Sequence, residues 1–295
     1  MRTTPGKLAL RISTVVLSGA ITLNAADLLY VVSQNLATPI YIYDSAGVQS
    51  VFAPEIPALR TRHIAFDADG NLFAANQDSS AIYKFDPSGN ATIFANSGLI
   101  WPYGLAFDGS GNLFVSDRGD NTIKKFLPDG TGTVFANLGI QPMSLGYHGG
   151  SLYCVDTAGE IERFDGAGTA SLITQLGTGG AFGGIVFDHS GNLFTANGMY
   201  LYKVTPDGQA SVFFDFSSDP FAAFHGVAID SSDNLFVSNL QDTIWKIAPD
   251  GSRTVFANQV SPAFMAVEVV PEPSAITLFS LGITAFACRF RRFDR

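Results

Sequence analysis

One motif recurs along this chain at nearly constant spacing, and no other feature restricts the fold as much. His63-Ile-Ala-Phe-Asp-Ala-Asp-Gly-Asn-Leu-Phe aligns with Gly104-Leu-Ala-Phe-Asp-Gly-Ser-Gly-Asn-Leu-Phe, Gly184-Ile-Val-Phe-Asp-His-Ser-Gly-Asn-Leu-Phe and Gly226-Val-Ala-Ile-Asp-Ser-Ser-Asp-Asn-Leu-Phe. A weaker copy, Ser144-Leu-Gly-Tyr-His-Gly-Gly-Ser-Leu-Tyr, falls between the second and the third. The shared leucines Leu72, Leu113, Leu152, Leu193 and Leu235 are spaced by 41, 39, 41 and 42 residues. Each copy runs on to a second turn (Asp86-Pro-Ser-Gly, Leu127-Pro-Asp-Gly, Asp165-Gly-Ala-Gly, Thr205-Pro-Asp-Gly, Ala248-Pro-Asp-Gly) and a closing segment with a large residue at Phe94, Phe135, Ile173, Phe213 or Phe256. A unit this small cannot bury its apolar faces alone, so its copies must stack on one another.

The turns divide each unit into four short strands, and about 41 residues in four strands is the size of a propeller blade. Neighbouring blades cover both faces of each sheet, which is why segments such as Asn112-Leu-Phe-Val-Ser are apolar on both sides. The 25 phenylalanines are then core residues at recurring blade positions rather than cofactor platforms. Pro102, Pro142 and Pro262 precede the innermost strand, where a missing N–H costs nothing.

Two fragments remain, and they are complementary. Tyr30-Val-Val-Ser through Ile40-Tyr-Ile-Tyr to Val51-Phe52-Ala53 supplies three outer strands, and Pro262-Ala-Phe-Met-Ala-Val-Glu268 supplies the missing inner one. Joining them closes the ring and removes two sheet edges. The expectation is an all-β, six-bladed β-propeller of four strands per blade over residues 28–269, closed by the C-terminal inner strand. There is no Trp-Asp signature, since the only tryptophans are Trp101 and Trp245, so WD40 is a poor assignment. The repeats resemble NHL repeats and the broader six-bladed gluconolactonase-like propellers.

The two ends carry addresses. Val270-Pro271-Glu272-Pro273 leads into an apolar run over residues 274–288, followed by Arg289, Arg291, Arg292 and Arg295. This reads as a short transmembrane segment with its arginines on the cytoplasmic side. About 15 residues is short against the roughly 20 that span a bilayer, which suits a transient anchor. The tail resembles the PEP-CTERM sorting signal of Gram-negative bacteria that make exopolysaccharide. That resemblance implies an exosortase-type processing enzyme as partner, transient inner-membrane anchoring, and delivery to the cell surface or extracellular matrix. At the other end Arg2, Lys7 and Arg11 precede an apolar stretch that runs into Asn24-Ala25-Ala26, the order of a secretory signal peptide. Residues 1–25 are read as that leader, cut after Ala25 or Ala26, with an uncleaved anchor as the alternative.

Charge narrows the partners. Residues 1–25 and 274–295 hold seven of the 17 basic residues and one of the 26 acidic ones, leaving 10 against 25, a formal charge of −15. Such a domain repels nucleic acid and anionic lipid surfaces, and cations or neutral glycans are easier partners. Cys154 and Cys288 offer no disulfide framework.

Two residue rings are expected at one end of the propeller axis. One precedes the innermost strand: Arg62, Tyr103, Met143, Gly183, His225 and Ala263. The other ends the next strand: Gln34, Asn76, Asp117, Asp156, Asn197 and Asn239. The second ring has two readings. Its side chains either bond the backbone of the following turn, or form a polar funnel for a sugar or a hard cation, with Asp117 and Asp156 supplying the charge for a divalent metal. The gluconolactonase resemblance implies metal-holding carboxylates and amides at the first ring, but this chain has no carboxylate there, which puts lactonase chemistry in doubt. His225 is the candidate general base and His63 lies one step along an equivalent strand. Asp67-Ala-Asp69-Gly-Asn71 is read as a hairpin turn in preference to a calcium loop. The ligand-channel candidates are therefore Arg62, Asn76, Tyr103, Asp117, Asp156, Asn197, His225 and Asn239. Exposed aromatics such as Tyr103 and Trp101 are expected to stack on sugar rings. Two functions stay open: a surface module that binds exopolysaccharide or a surface protein, and a secreted lactonase- or lyase-like hydrolase that uses the channel.

Overall fold

The computed structural model describes residues 27–33, 39–53, 60–177, 182–218, 224–239, 243–258 and 262–268. They form 24 strands in six antiparallel four-stranded sheets. Blades 2 to 6 each run outward in chain order, from inner strands Thr61–Phe66, Pro102–Phe107, Pro142–His148, Phe182–Phe187 and Phe224–Ile229. Blade 1 is composite: Pro262–Glu268 is its inner strand and pairs antiparallel with Leu28–Ser33, followed by Ile40–Tyr43 and Gln49–Ala53. Inner strands of successive blades are neighbours around the whole cycle, including blade 6 to blade 1 and blade 1 to blade 2. The ring is closed as the two fragments implied.

Burial follows position in the blade. The second strands Leu72–Asn76, Leu113–Asp117, Leu193–Asn197 and Leu235–Asn239 are buried at every residue, because a neighbouring blade lies on each face. Outer strands such as Ala91–Ala95 are largely exposed. One aromatic recurs as a staple. Phe94 packs edge to face on Phe73 of its own blade (5.0 Å) and on Phe126 of the next (6.3 Å), and Phe135 packs edge to face on Phe114 (4.9 Å) and at a tilt on Phe164 (6.3 Å). Phe256 carries the pattern from blade 6 to Tyr43 of blade 1, and Phe52 from blade 1 to Phe85 of blade 2. Burying one such ring contributes roughly 1.5–3 kcal/mol.

The turns are also built by the repeat. Asp67 Oδ1 accepts from the backbone N–H groups of Asp69 and Asn71, and Asn71 Nδ2 donates back to Asp67 Oδ2 at 2.8 Å. Asp108, Asp188 and Asp230 repeat the arrangement. The Asp-x-x-Gly-Asn segments are therefore hairpin turns whose carboxylates are spent on their own backbone. At the second turn of blade 3, Gly130 has φ 85°, and a Cβ there would lie 2.7 Å from the Phe94 carbonyl oxygen of blade 2. Both the left-handed backbone and the close approach require glycine.

Candidate functional site at one mouth of the ring

Strand register brings the two residue rings together. Thr61 pairs with Asn76, Pro102 with Asp117, Pro142 with Asp156, Phe182 with Asn197 and Phe224 with Asn239. The start of each inner strand and the end of each second strand thus share one end of the propeller, and the Asp-x-x-Gly-Asn turns occupy the other.

The described members of the strand-end ring are buried and turn toward the backbone. Asp117 is fully buried. Its Oδ1 accepts from the N–H groups of Trp101 (2.7 Å) and Gly119 (3.2 Å), and its Oδ2 from Ile100 N–H (2.8 Å) and the Lys124 ammonium (2.6 Å). Lys124 also donates to Asp120 at 2.7 Å and to the Gly98 carbonyl. Asp117 therefore ties together the segment that enters the inner strand and the turn that leaves the second one. Asp156 Oδ1 accepts from Ala158 and Glu160, Asn76 Oδ1 from Ser79, and Asn239 Oδ1 from Thr243, while Asn197 Nδ2 donates to the Gly177 carbonyl. Three atoms of this ring, Asn76 Nδ2, Asp156 Oδ2 and Asn197 Oδ1, are buried without a partner among the described residues. Ordered water is the usual partner of such atoms. Among the described residues no three His, Cys, Asp or Glu side chains converge as a metal-ligand group. Gln34 lies outside the described residues, as do the side chains of His225 and Ala263.

The inner strands meet through aromatic packing. Phe264 of blade 1 and Tyr103 of blade 3 contact edge to face with centroids 5.6 Å apart, and His63 of blade 2 lies 5.9 Å from Phe264. Tyr103, expected to be exposed, is only 4% exposed, whereas Trp101 is 49% exposed. Tyr103 is covered by residues remote in sequence: Phe264 on one side, and on another the Arg118 guanidinium, 5.1 Å from its ring centroid. His63 is buried, and burial pushes its imidazole down to about 4, so it is neutral near pH 7.

Around Tyr103 the mouth is basic. Arg62 Nε donates to Gln77 Oε1 at 2.5 Å, and Arg118 Nη2 donates to Gln141 Oε1 at 2.9 Å. Both guanidiniums are thus held by neutral amides. Arg118 Nε is buried without a partner among the described residues. Burial first, and then the positive charges of Arg60 and Arg118, draw the Arg62 guanidinium below its ordinary range, opposed by Tyr103 and Asp78. The sequence singled out Arg62 and Tyr103 but missed Arg118, Gln77 and Gln141. These three follow the strand-end ring or precede the inner strand in single blades, so no repeat marks them. The signal was available elsewhere: they occupy turn positions at the end where both rings meet.

A second concavity, of about 400 Å³, lies at the opposite rim between blades 4 and 5. His148 stacks on Phe187 there at 4.6 Å, and His189 contacts Asp233 at 2.7 Å beside it.

Residues 269–292 match the PEP-CTERM protein-sorting motif, which contains Val270, Pro271, Glu272, Pro273, Arg289, Arg291 and Arg292. The motif marks the protein for export, C-terminal membrane anchoring, exosortase processing and sorting to the Gram-negative cell surface. Its residues, the apolar run 274–288 and the leader 1–25 lie outside the described residues, among which no helix is long and apolar enough to cross a membrane. Among solved structures the fold is similar to a chain of the nidogen/laminin complex, with TM-score 0.72 and 18% identity over 84% of this chain and 100% of that one. Virginiamycin B lyase from Staphylococcus aureus gives TM-score 0.62 and 15% identity, covering 80% and 84% of the two chains. A streptogramin B lyase gives 0.62 and 18%, covering 81% and 91%. At these identities the likeness establishes the propeller fold. No curated protein matches the chain.

Proposed function

We propose that this protein is a non-catalytic binding module, exported by cleavage of the leader 1–25 and displayed by its sorting tail, whose ligand is an extracellular polysaccharide of the surface matrix. One observation carries the reading. The mouth built by blades 2 to 4 presents an exposed indole at Trp101 and guanidinium and amide donors at Arg62, Arg118, Gln77 and Gln141. Its nearest strand-end carboxylate, Asp117, has both oxygens committed to backbone N–H groups and Lys124. Donors and an apolar platform suit a hydroxyl-rich ligand, whose rings carry acceptors and one apolar face. The Lys124 pairing also argues against Asp117 as a ligand for a divalent cation, because a metal would have to displace a buried ammonium at 2.6 Å.

The test is co-sedimentation of the full-length protein with exopolysaccharide isolated from an exosortase-bearing bacterium. Retention that is saturable and weakened by Trp101→Ala supports the module. Turnover of a lactone or glycan by the same preparation, lost in His225→Ala with the fold intact, would replace it with a hydrolase.

A further inference from the structure

The domain between leader and tail carries only ten basic residues, and three of them, Arg60, Arg62 and Arg118, gather at the mouth around Tyr103. Ion pairing satisfies them poorly. Arg60 has a loose, exposed contact with Asp78 at 3.8 Å, while among the described residues the Arg62 and Arg118 side chains bond only to the neutral amides of Gln77 and Gln141. A guanidinium offers five N–H donors in a planar fork that matches the two oxygens of a carboxylate. Arg118 spends one donor on Gln141 and keeps a buried Nε–H without an acceptor among the described residues. The positive charge of Arg118 acts on the partly buried Arg62 guanidinium and outweighs the opposing pull of Asp78, and among the described residues neither guanidinium bonds a carboxylate, so an anion placed between them relieves their repulsion.

We propose that this mouth is a carboxylate site for an acidic sugar: Arg118 and Arg62 hold the carboxylate of a uronic acid residue, and the exposed Trp101 indole carries its pyranose ring. The inference rests on the polysaccharide reading above and names the kind of sugar. Trp101 and Arg118 are joined by a backbone hydrogen bond, Arg118 N–H to Trp101 C=O at 3.0 Å, so platform and charge share one rigid corner. Asp117 fixes that corner from beneath by accepting Trp101 N–H at 2.7 Å.

The overall charge sets the selectivity. A formal −15 over the domain repels polyanions as a whole. Beyond a Debye length of about 10 Å at 0.1 M salt, however, that field is largely screened. A single carboxylate seated between the arginines feels mostly them. A densely charged chain must also bring its other phosphates or sulfates close to the acidic body. The site therefore favours a polysaccharide with widely spaced uronates over nucleic acid or a sulfated glycan.

The experiment measures retention of the full-length protein on one isolated exopolysaccharide before and after chemical reduction of its carboxyl groups to primary alcohols. The expected result is at least about tenfold weaker retention on the reduced polymer, the scale of one bidentate arginine–carboxylate contact. Arg118→Gln should lose the preference while melting at an unchanged temperature, and Arg118→Lys, which keeps the charge but not the fork, should recover it only in part. Equal retention on native and reduced polymer by the unaltered protein overturns the carboxylate site and leaves polysaccharide binding standing. Absence of retention on both overturns the two together.

Discussion

The Tyr30 hydroxyl donates to the Glu268 carboxylate across 2.7 Å and joins residues 238 positions apart. Tyr30 lies in the first of the described strands and Glu268 ends the last of them, so this bond sits on the seam where the ring closes. The seam removes the exposed edge of Leu28–Ser33 and gives blades 2 and 6 an inner neighbour. Deleting residues 262–268 should abolish the single cooperative unfolding transition. Tyr30→Phe, which forfeits one hydrogen bond to a carboxylate, should cost about 1.5–3 kcal/mol. Urea denaturation measures both, and a truncated chain with an unchanged midpoint would refute the seam.

Ser116 fastens blade 3 to blade 4. Its hydroxyl accepts from Gly104 N–H at 2.7 Å and donates to the Met143 carbonyl at 2.5 Å, all within the buried interior. Gly104 leaves no room for a side chain, since a Cβ would lie 2.5 Å from Met143 O and 2.9 Å from Ser116 Oγ. Ser116→Ala should destabilise by roughly 1–3 kcal/mol through two stranded backbone groups. Gly104→Ala should cost at least as much by forcing the two inner strands apart. Thermal melts that show either variant within half a degree of the parent would contradict this account.

Asp117 is expected to behave as a structural residue. Replacing it by alanine leaves the buried Lys124 ammonium with Asp120 as its only carboxylate partner, beside the Gly98 carbonyl, and frees the N–H groups of Ile100 and Trp101. Breaking a buried pair on one side typically costs about 3–5 kcal/mol. Asp117→Ala should therefore lower stability sharply. Divalent-ion content, read by native mass spectrometry before and after chelation, should be the same in variant and parent. A bound ion present in the parent and lost in the variant would revive the metal reading.

What could be read from the sequence was what the chain encodes locally or repeats. Asp67 and Asn71 are four residues apart and build their own turn, so four copies of that turn, with a weaker fifth at His148, marked the blade boundaries. The complementary end fragments implied a closing strand because a blade lacking its inner strand is an exposed edge. The site was less legible, for a physical reason. Besides Gly119 and Lys124, the partners of Asp117 are Ile100 and Trp101, and these two reach it only after the inner strand has paired with the second. Tyr103 looked like an exposed platform, yet Phe264 covers it from the far end of the chain. Arg118 occurs in one blade only, and neither periodicity nor composition marks a residue used once.

His63 should make this propeller acid-sensitive in a defined window. Burial holds its imidazole at about 4 against an ordinary 6.5, and its Nδ1 has no partner among the described residues. Below pH 6.5 the unfolded chain takes up a proton that the folded chain refuses, so stability falls with pH until the folded imidazole also protonates near 4. The loss levels off below that, at about 3 kcal/mol in all. The turn carboxylates act lower. Asp86, held below its ordinary 3.8 by the side-chain and backbone N–H groups of Asn90, contributes fully above that value, and its contribution fades only as pH drops through its depressed folded pKa. The two windows therefore separate. In urea titrations at fixed pH, the unaltered protein should lose midpoint steadily between pH 6.5 and 4, whereas His63→Leu should be nearly flat there and fall only in stronger acid. Parallel slopes for the two proteins across that interval would show that His63 is solvated and not the buried neutral base the packing against Phe264 describes.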